Sequence, residues 1–170
     1  LYLALTQEMK VDLLSATTPF TAENTKEYRY ELGVIDRMIT DIREEQNVGY
    51  MLPLALLRKA QIAERIETSG NYGLPQSVEQ YYMDAKAAYD TYGEARSYNY
   101  AYYEYARYLA NKYGESKKTE VLALLEHFKQ NNSENANLKS LLNSIEQKRG
   151  TALQTKEHIA LKKLAPEFTI

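Results

Sequence analysis

The sequence predicts an all-α fold of about seven helices in antiparallel hairpins, arranged as a bundle or as a short helical-repeat-like array. Three observations lead to this prediction. Apolar residues recur at intervals of three and four through most of residues 1–160, as on one face of a helix. No stretch of that region alternates apolar and polar residues in the manner of a half-buried strand. Short segments rich in Gly, Pro, Asn and Ser separate the periodic stretches and indicate turns.

The composition is that of an ordinary globular domain, with 44% hydrophobic and 26% charged residues among 170. This length is enough for one hydrophobic core, so we predict a single helical domain over residues 1–160. The net charge of −2 gives no positive field that would attract nucleic acid. The longest apolar run, residues 50–57, contains Pro53 and is far shorter than the roughly 20 residues of a membrane span. We therefore expect neither a nucleic-acid partner nor a membrane span.

The chain contains no cysteine. Disulfides, thiolate metal sites and thiol nucleophiles are therefore excluded within it, but a cysteine-free protein is stable in either redox setting, so the compartment stays open. Because the chain starts at Leu1 and not at methionine, we expect it to be a mature or excised part of a longer protein.

Three helices are predicted in the front half, at about 1–16, 21–47 and 52–68. In the third, Pro53 lies in the first turn, where proline is tolerated. Residues 69–75 contain two glycines and a proline, so they end the front half and form a possible hinge. The second helix has the clearest apolar stripe, spaced 4-3-4-3 and suited to bundle packing: Tyr28, Leu32, Ile35, Ile39 and Ile42.

Four helices are predicted in the back half, at about 77–93, 97–114, 117–130 and 135–149. Ser77 and Gln80 fit the capping-box pattern at the first of them, and Ser116 is predicted to cap the third. Residues 131–133 are predicted to end that helix, and Gly150 to cap the last one. The residues predicted to face inward are Tyr81, Tyr82, Ala85, Ala88, Tyr89 and Tyr92, then Val121, Leu122, Leu125 and Phe128, and then Leu138, Leu141, Leu142 and Ile145.

The helix at 97–114 is predicted to be central, because seven of the sixteen tyrosines lie in it and it is apolar on most sides. Tyr98, Tyr102, Tyr105 and Leu109 share one of its faces. Two interpretations of the tyrosines stay open. They pack the core and place their hydroxyls at its rim, or some of them line a groove for a peptide or a partner protein. The groove would be formed by Tyr81, Tyr82, Tyr98, Tyr102 and Tyr105.

No pattern of catalytic or metal-ligating residues is found. His127 and His158 each directly follow a glutamate, and neither completes a Glu-x-x-His or His-Glu-x-x-His motif. Both histidines are predicted to be exposed helix or linker residues. The glycines form no phosphate-binding loop. We therefore predict no catalytic residue, no metal site and no cofactor in this chain.

Two stretches resemble known families. Residues 101–142, with the run YARYLANKYGESKKTEVLALLEHFKQNNSEN, are similar to a tetratricopeptide unit, which implies a helical-hairpin interaction module. In the tail, Ala165, Pro166, Glu167 and Phe168 resemble the start of a thioredoxin-like fold of the peroxiredoxin and thiol–disulfide oxidoreductase group. This second resemblance implies that residues 161–170 are a linker and the start of a thioredoxin-like domain whose Cys-x-x-Cys would lie beyond Ile170. It also implies the periplasm or cell envelope of a Gram-negative bacterium, with the cytoplasm as the alternative.

These observations leave several functions open. The chain is a non-catalytic accessory domain that stands before a thioredoxin-like redox domain and sets its placement or its partners, or it is a free-standing tetratricopeptide-like interaction module. An enzyme with its site inside these residues would need a cluster of reactive groups, and the sequence offers none. In both of the first two cases the expected partner is a protein or a peptide.

Overall fold

The computed structural model of the chain describes residues 25–44, 51–68, 70, 73–92 and 100–147. Five α-helices lie between Thr25 and Asn132: α1 (Thr25–Glu44), α2 (Leu52–Thr68), α3 (Val78–Tyr92), α4 (Tyr100–Tyr113) and α5 (Lys118–Asn132). A 3₁₀ turn, Gly114–Lys117, joins α4 to α5. Residues 136–147 form a further helix, α6. The described residues contain no strand, so the all-α prediction is confirmed for them.

The chain divides into two compact units, Leu1–Asn131 and Asn132–Ile170. The helices α1 to α5 form the first unit, and α6 lies in the second. The predicted helix at 1–16 and the predicted cap at Gly150 lie outside the described residues, and the hinge at 69–75 stays a prediction. Among the described helices, none combines the length and the apolar character needed to cross a bilayer.

Neighbouring helices of the first unit pack in chain order, α1 on α2, α2 on α3 and α3 on α4. Contacts between α3 and α4 show that these two helices are antiparallel. Glu79 near the start of α3 binds Tyr113 at the end of α4, whereas Asp90 near the end of α3 binds Tyr102 near the start of α4. The partner number falls as the residue number rises, which is the signature of a helical hairpin.

Alternate helices of the first unit run parallel. Contacts between α2 and α4 join residues 43 and 45 positions apart, Glu64–Arg107 and Glu67–Lys112. Two contacts of α3 each join residues 38 positions apart: Glu79 binds Lys117, the last residue of the 3₁₀ turn before α5, and Tyr89 meets His127 of α5. A nearly constant separation means that both helices of a pair run in the same direction.

The helix α4 is central, as its composition predicts. It packs on α3, touches α2 and meets α5 through the rings of Tyr100, Tyr103 and Phe128. The predicted stripe of α1 is buried at Leu32, Ile35, Ile39 and Ile42, while the side chain of Tyr28 lies outside the described part of the structure. The helix α2 buries Leu56, Leu57, Ala60, Ala63 and Ile66. In α4 the buried residues are Ala101, Tyr102, Tyr103, Tyr105, Ala106, Tyr108, Leu109 and Ala110.

Two residues that were predicted to face inward lie at the surface. Tyr92, in the last turn of α3, is 44% exposed, and Leu122 of α5 is 41% exposed. The buried face of α5 contains Leu124 instead, because Val121, Leu124, Leu125 and Phe128 follow the helical spacing of one face and Leu122 lies about 100° around the helix from Val121.

The helix ends differ in how well the sequence predicts them. Ser77 caps α3 as predicted, since its Oγ accepts a hydrogen bond from the Gln80 amide at 3.1 Å. Ser116 does not cap α5: it lies inside the 3₁₀ turn and donates to the Tyr113 carbonyl. The predicted break at residues 131–133 is one to two residues too early, because α5 continues through Asn132. Asn135 caps α6 by accepting from two backbone amides.

Candidate functional site

Tyrosine hydroxyls form many of the polar contacts between the described helices of the first unit. Five of them, within the described residues, donate to carboxylates on other helices, while the rings of four of these tyrosines are buried. This placement is the first of the two predicted roles for the tyrosines, with apolar rings inside and hydroxyls at the rim of the core. The pairs are Tyr82–Glu64, Tyr102–Asp90, Tyr105–Glu79 and Glu120, Tyr108–Glu67, and Tyr113–Glu79.

The most buried of these contacts joins α2, α3 and α4 around Glu64. The Glu64 carboxylate accepts from the hydroxyl of Tyr82, which is fully buried, and from two guanidinium nitrogens of Arg107 at 3.0 and 2.5 Å. Arg107 also donates to Glu104 at 2.7 Å. Burial and the Glu64 carboxylate raise the pKa of Tyr82. Burial alone would lower the pKa of Arg107, but Glu64 and Glu104 outweigh it and raise that pKa.

Glu79 joins α3 to α4 and to the 3₁₀ turn that follows α4. Its carboxylate accepts from Tyr113 at 2.8 Å, from Tyr105 at 3.4 Å and from Lys117 at 3.4 Å. Burial opposes ionisation of Glu79, but the bonds from Tyr113 and Lys117 outweigh it, so the pKa of Glu79 is lowered. Tyr105 also donates to Glu120 of α5 at 3.3 Å, and this places a second carboxylate on the same side of the unit.

Tyr102 lies under two aromatic neighbours and a lysine. The imidazole of His127 stacks on its ring at 3.9 Å, and the ring of Tyr89 meets it edge-on at 5.4 Å. Lys86 Nζ lies 4.8 Å from the ring centre and binds Asp90 Oδ2 at 2.8 Å. Burial and the Asp90 carboxylate raise the pKa of the Tyr102 hydroxyl, so Tyr102 stays a neutral donor to Asp90.

A groove of about 530 Å³, which we call the α3–α5 groove, opens above Tyr102 and Tyr105. One wall belongs to α3 and the other to α5, and the lining is mainly apolar. Met83 is 46% exposed here, so its side chain adds apolar surface to the open side of the groove. The lining residues are Met83, Lys86 and Ala87 of α3, Tyr102 and Tyr105 of α4, and Glu120, Ala123, Leu124 and His127 of α5.

The structure describes four of the five tyrosines predicted to line a groove. Tyr102 and Tyr105 lie together at the floor of the α3–α5 groove. Tyr82 is buried behind that floor, where its ring stacks on Tyr105 at 6.0 Å. Tyr81 is also buried, and Lys59 of α2 lies over its ring. Tyr98 lies outside the described residues, so a groove that uses all five stays a prediction.

The prediction for His127 is wrong. The sequence places it on an exposed helix surface, whereas the structure places it half-buried between α3 and α4, stacked on Tyr102. The cause is the alignment of α5 with α3, which brings His127 opposite Tyr89 and which no local pattern in α5 encodes. His158 lies outside the described residues.

A second recess, of about 340 Å³, lies between α2 and α4 and is lined by polar groups. Its charges include Glu64, Glu104 and Arg107, which bind one another. Among the described residues, no group of three or more His, Asp, Glu or Cys side chains is placed to hold a metal ion. The α3–α5 groove is therefore the better candidate for a binding surface, because its wall exposes apolar area.

No protein-family model matches this chain, and no curated protein or solved structure matches it either.

The sequence signals that could have located the groove are weak. Ala87 and Ala123 are small residues on the exposed faces of their helices, and only the alignment of α3 and α5 across α4 places them in one groove.

Proposed function

We propose that this chain is a helical protein-interaction module that acts by binding rather than by catalysis, and that it binds a peptide segment of a partner protein in the α3–α5 groove. The observation that carries this proposal is the groove itself, an open apolar channel with an aromatic floor. Its volume of about 530 Å³ falls within the range of about 300–1,000 Å³ that is typical of ligand pockets.

The groove has the composition of a recognition surface. Met83 is flexible and exposed, which suits contact with varied apolar side chains. Ala87 and Ala123 leave room between the walls, and the largely buried rings of Tyr102 and Tyr105 give the groove a rigid floor. Polar groups are few and lie at defined positions, as in sites that need orientation as well as affinity.

The polar groups around the groove support binding over catalysis. Lys86 binds Asp90, and Glu120 binds Lys117 and Tyr105. A nucleophile or general base needs a partner that activates it and a substrate within hydrogen-bond reach. Here Lys86 and Glu120 pair with charged neighbours three or four residues away in the chain, Glu120 also binds Tyr105 of α4, and the open surface between them is apolar.

Selection from a library of short random peptides tests the proposal. Peptides selected on the native chain are expected to lose at least about tenfold in affinity for Ala123→Trp, because the indole fills the space between the walls. Ala87→Trp fills the same space from the opposite wall and is expected to have the same effect. Both alanines are exposed, so neither change disturbs the core.

Lys129→Trp is the matched control. Lys129 is an exposed residue of the same helix and does not line the groove, so this variant is expected to bind the selected peptides with native affinity. If the selection gives no peptide, or if the peptides bind Ala123→Trp and Ala87→Trp as tightly as the native chain, the groove is not the binding surface and the proposal is wrong.

The tail motif supports a more specific proposal on context. Ala165, Pro166, Glu167 and Phe168 resemble the start of a thioredoxin-like fold, so we propose that this module stands before a redox domain in an envelope protein of a Gram-negative bacterium. The coding sequence after Ile170 tests this. A predicted strand followed by Cys-x-x-Cys supports the proposal, and a stop codon or an unrelated sequence favours the free-standing module.

A further inference from the structure

The walls of the α3–α5 groove decide which backbone conformation can enter it. The lining residues of α3 and α5 lie within helices, whose backbone N–H and C=O groups are bonded inside the helix. An extended peptide would place its own backbone groups against these walls without partners, and each unpaired group is costly. A helical peptide satisfies its backbone internally and presents only side chains.

A positive and a negative side chain lie at different positions along the groove, so its two ends differ in charge. Lys86 lies over the ring of Tyr102, and Glu120 accepts from the hydroxyl of Tyr105. Tyr102 and Tyr105 are three residues apart on α4, a rise of about 4.5 Å along the helix axis. The positive and the negative group therefore lie on opposite walls and next to floor residues that are about one helical turn apart along α4.

Both groups can make a further bond. The Lys86 ammonium has three donors, and one of them goes to Asp90 at 2.8 Å. Each carboxylate oxygen of Glu120 has two lone pairs, and the two oxygens accept from Tyr105 and Lys117. Both side chains are also partly accessible to solvent, so a ligand in the groove can reach them.

We propose, on the basis of the function proposed above, that the occupant of the α3–α5 groove is an amphipathic helix of a partner protein. Its apolar face carries a large side chain that fills the space beside Met83, Ala87 and Ala123. A basic residue next to that side chain meets Glu120, and an acidic residue one turn away meets Lys86. The order of the two charges fixes the direction in which the partner helix lies.

An exchange of charges in both the peptide and the protein tests this inference. The test uses selected peptides that bind the native chain but bind the Ala123→Trp variant weakly. In such a peptide the basic and the acidic residue are exchanged, and in the chain Lys86→Glu is combined with Glu120→Lys. The exchanged peptide is expected to bind the native chain roughly tenfold more weakly than the original, because two attractive contacts become repulsive. The doubly substituted chain is expected to prefer the exchanged peptide by a similar factor.

A neutral variant guards against a loss of structure. Lys86→Gln with Glu120→Gln removes both charges while keeping hydrogen-bonding groups, and it is expected to bind the original and the exchanged peptide equally. Circular dichroism of the peptides with and without the protein is expected to show a gain of helix on binding.

The outcomes separate this inference from the proposed function. If groove-dependent peptides bind without gaining helix, or if exchange of their charges has the same effect on the native and on the doubly substituted chain, the occupant is not the charged helix described here, although the groove remains a binding surface. If no peptide depends on the groove, both proposals are wrong.

Discussion

At the scale of single residues, the structure depends on hydroxyl-to-carboxylate hydrogen bonds that cross between helices. A tyrosine buries a large ring and still reaches a charged acceptor at the edge of the core, so it contributes apolar burial and a directed bond together. Glu64 shows the consequence most clearly. It accepts from Tyr82 and from Arg107, and therefore joins α2 to both α3 and α4.

Glu64→Ala is expected to lower the free energy of unfolding by about 2–3 kcal/mol, because it removes one of the two carboxylate partners of the half-buried Arg107 guanidinium and the acceptor of the buried Tyr82 hydroxyl. Tyr82→Phe is expected to cost only about 1 kcal/mol, since Glu64 and Arg107 still bind each other. Urea unfolding followed by circular dichroism measures both, and the double variant is expected to cost less than the two single changes together.

Glu126→Ala is the control for this series. Glu126 and Lys129 form an exposed pair at 3.6 Å, so the loss of this pair is expected to change stability by less than about 0.5 kcal/mol. A cost for Glu64→Ala as small as that of Glu126→Ala would contradict the central position given to Glu64.

At the scale of helices, two glycines with different backbone conformations are expected to respond in opposite ways to substitution by alanine. Gly33 lies inside α1, and a Cβ there would contact nothing within 4 Å. Gly114 follows α4 with φ +55°, the left-handed conformation that often ends a helix. A side chain has space at both positions, so backbone conformation alone separates them.

Gly33→Ala is expected to stabilise the protein by about 0.5–1 kcal/mol, because alanine loses less conformational freedom than glycine in a helix interior. Gly114→Ala is expected to destabilise it by about 1–2 kcal/mol, because a Cβ is disfavoured at positive φ. Thermal unfolding of the two variants beside the native chain measures the signs, and equal signs would refute the backbone argument.

Helix capping predicts different stability costs for alanine substitution at two serines. Ser77→Ala removes the acceptor of the Gln80 amide and is expected to cost about 1 kcal/mol. Ser116→Ala removes an exposed bond to the Tyr113 carbonyl and is expected to cost less than about 0.5 kcal/mol. Chemical unfolding compares the two, and a larger cost at Ser116 would contradict the assignment of Ser77 as the cap.

Local signals explain how much of the fold the sequence predicts. Pro53 and the apolar spacing that follows it place α2 at its observed bounds, and Ser77 places the start of α3. The contacts of Glu64 and Glu79 join residues between 18 and 43 positions apart, and their geometry depends on how whole helices align. The walls of the α3–α5 groove depend on the same alignment, so the sequence does not predict them. The predicted tyrosine groove shares only Tyr102 and Tyr105 with the lining.

At the scale of the whole molecule, tyrosine burial in the first unit gives a direction to the pH dependence of stability. Burial and the Asp36 carboxylate raise the pKa of Tyr81 to about 12. Burial and the Glu67 carboxylate raise that of Tyr108 to about 12, although Lys112 opposes the shift. An unfolded tyrosine titrates near about 10, so above that pH the unfolded chain releases protons that the folded chain keeps.

The free energy of unfolding is therefore expected to be constant from about pH 7 to about pH 10 and to fall steadily between about pH 10 and 12, because the unfolded state binds fewer protons in that upper range. Urea titrations at several alkaline pH values measure this fall. Tyr108→Phe is expected to make the fall shallower. A free energy of unfolding that stays constant up to pH 12 would contradict the raised pKa values.

The position of Tyr102 and Tyr105 at the floor of the α3–α5 groove has a practical consequence. The chain has no tryptophan, so its intrinsic fluorescence comes from tyrosine alone. A ligand that enters the groove covers the floor formed by two of these emitters and so changes their surroundings. Occupancy of the groove can therefore be followed by emission from the unlabelled protein, without a dye and without a substitution.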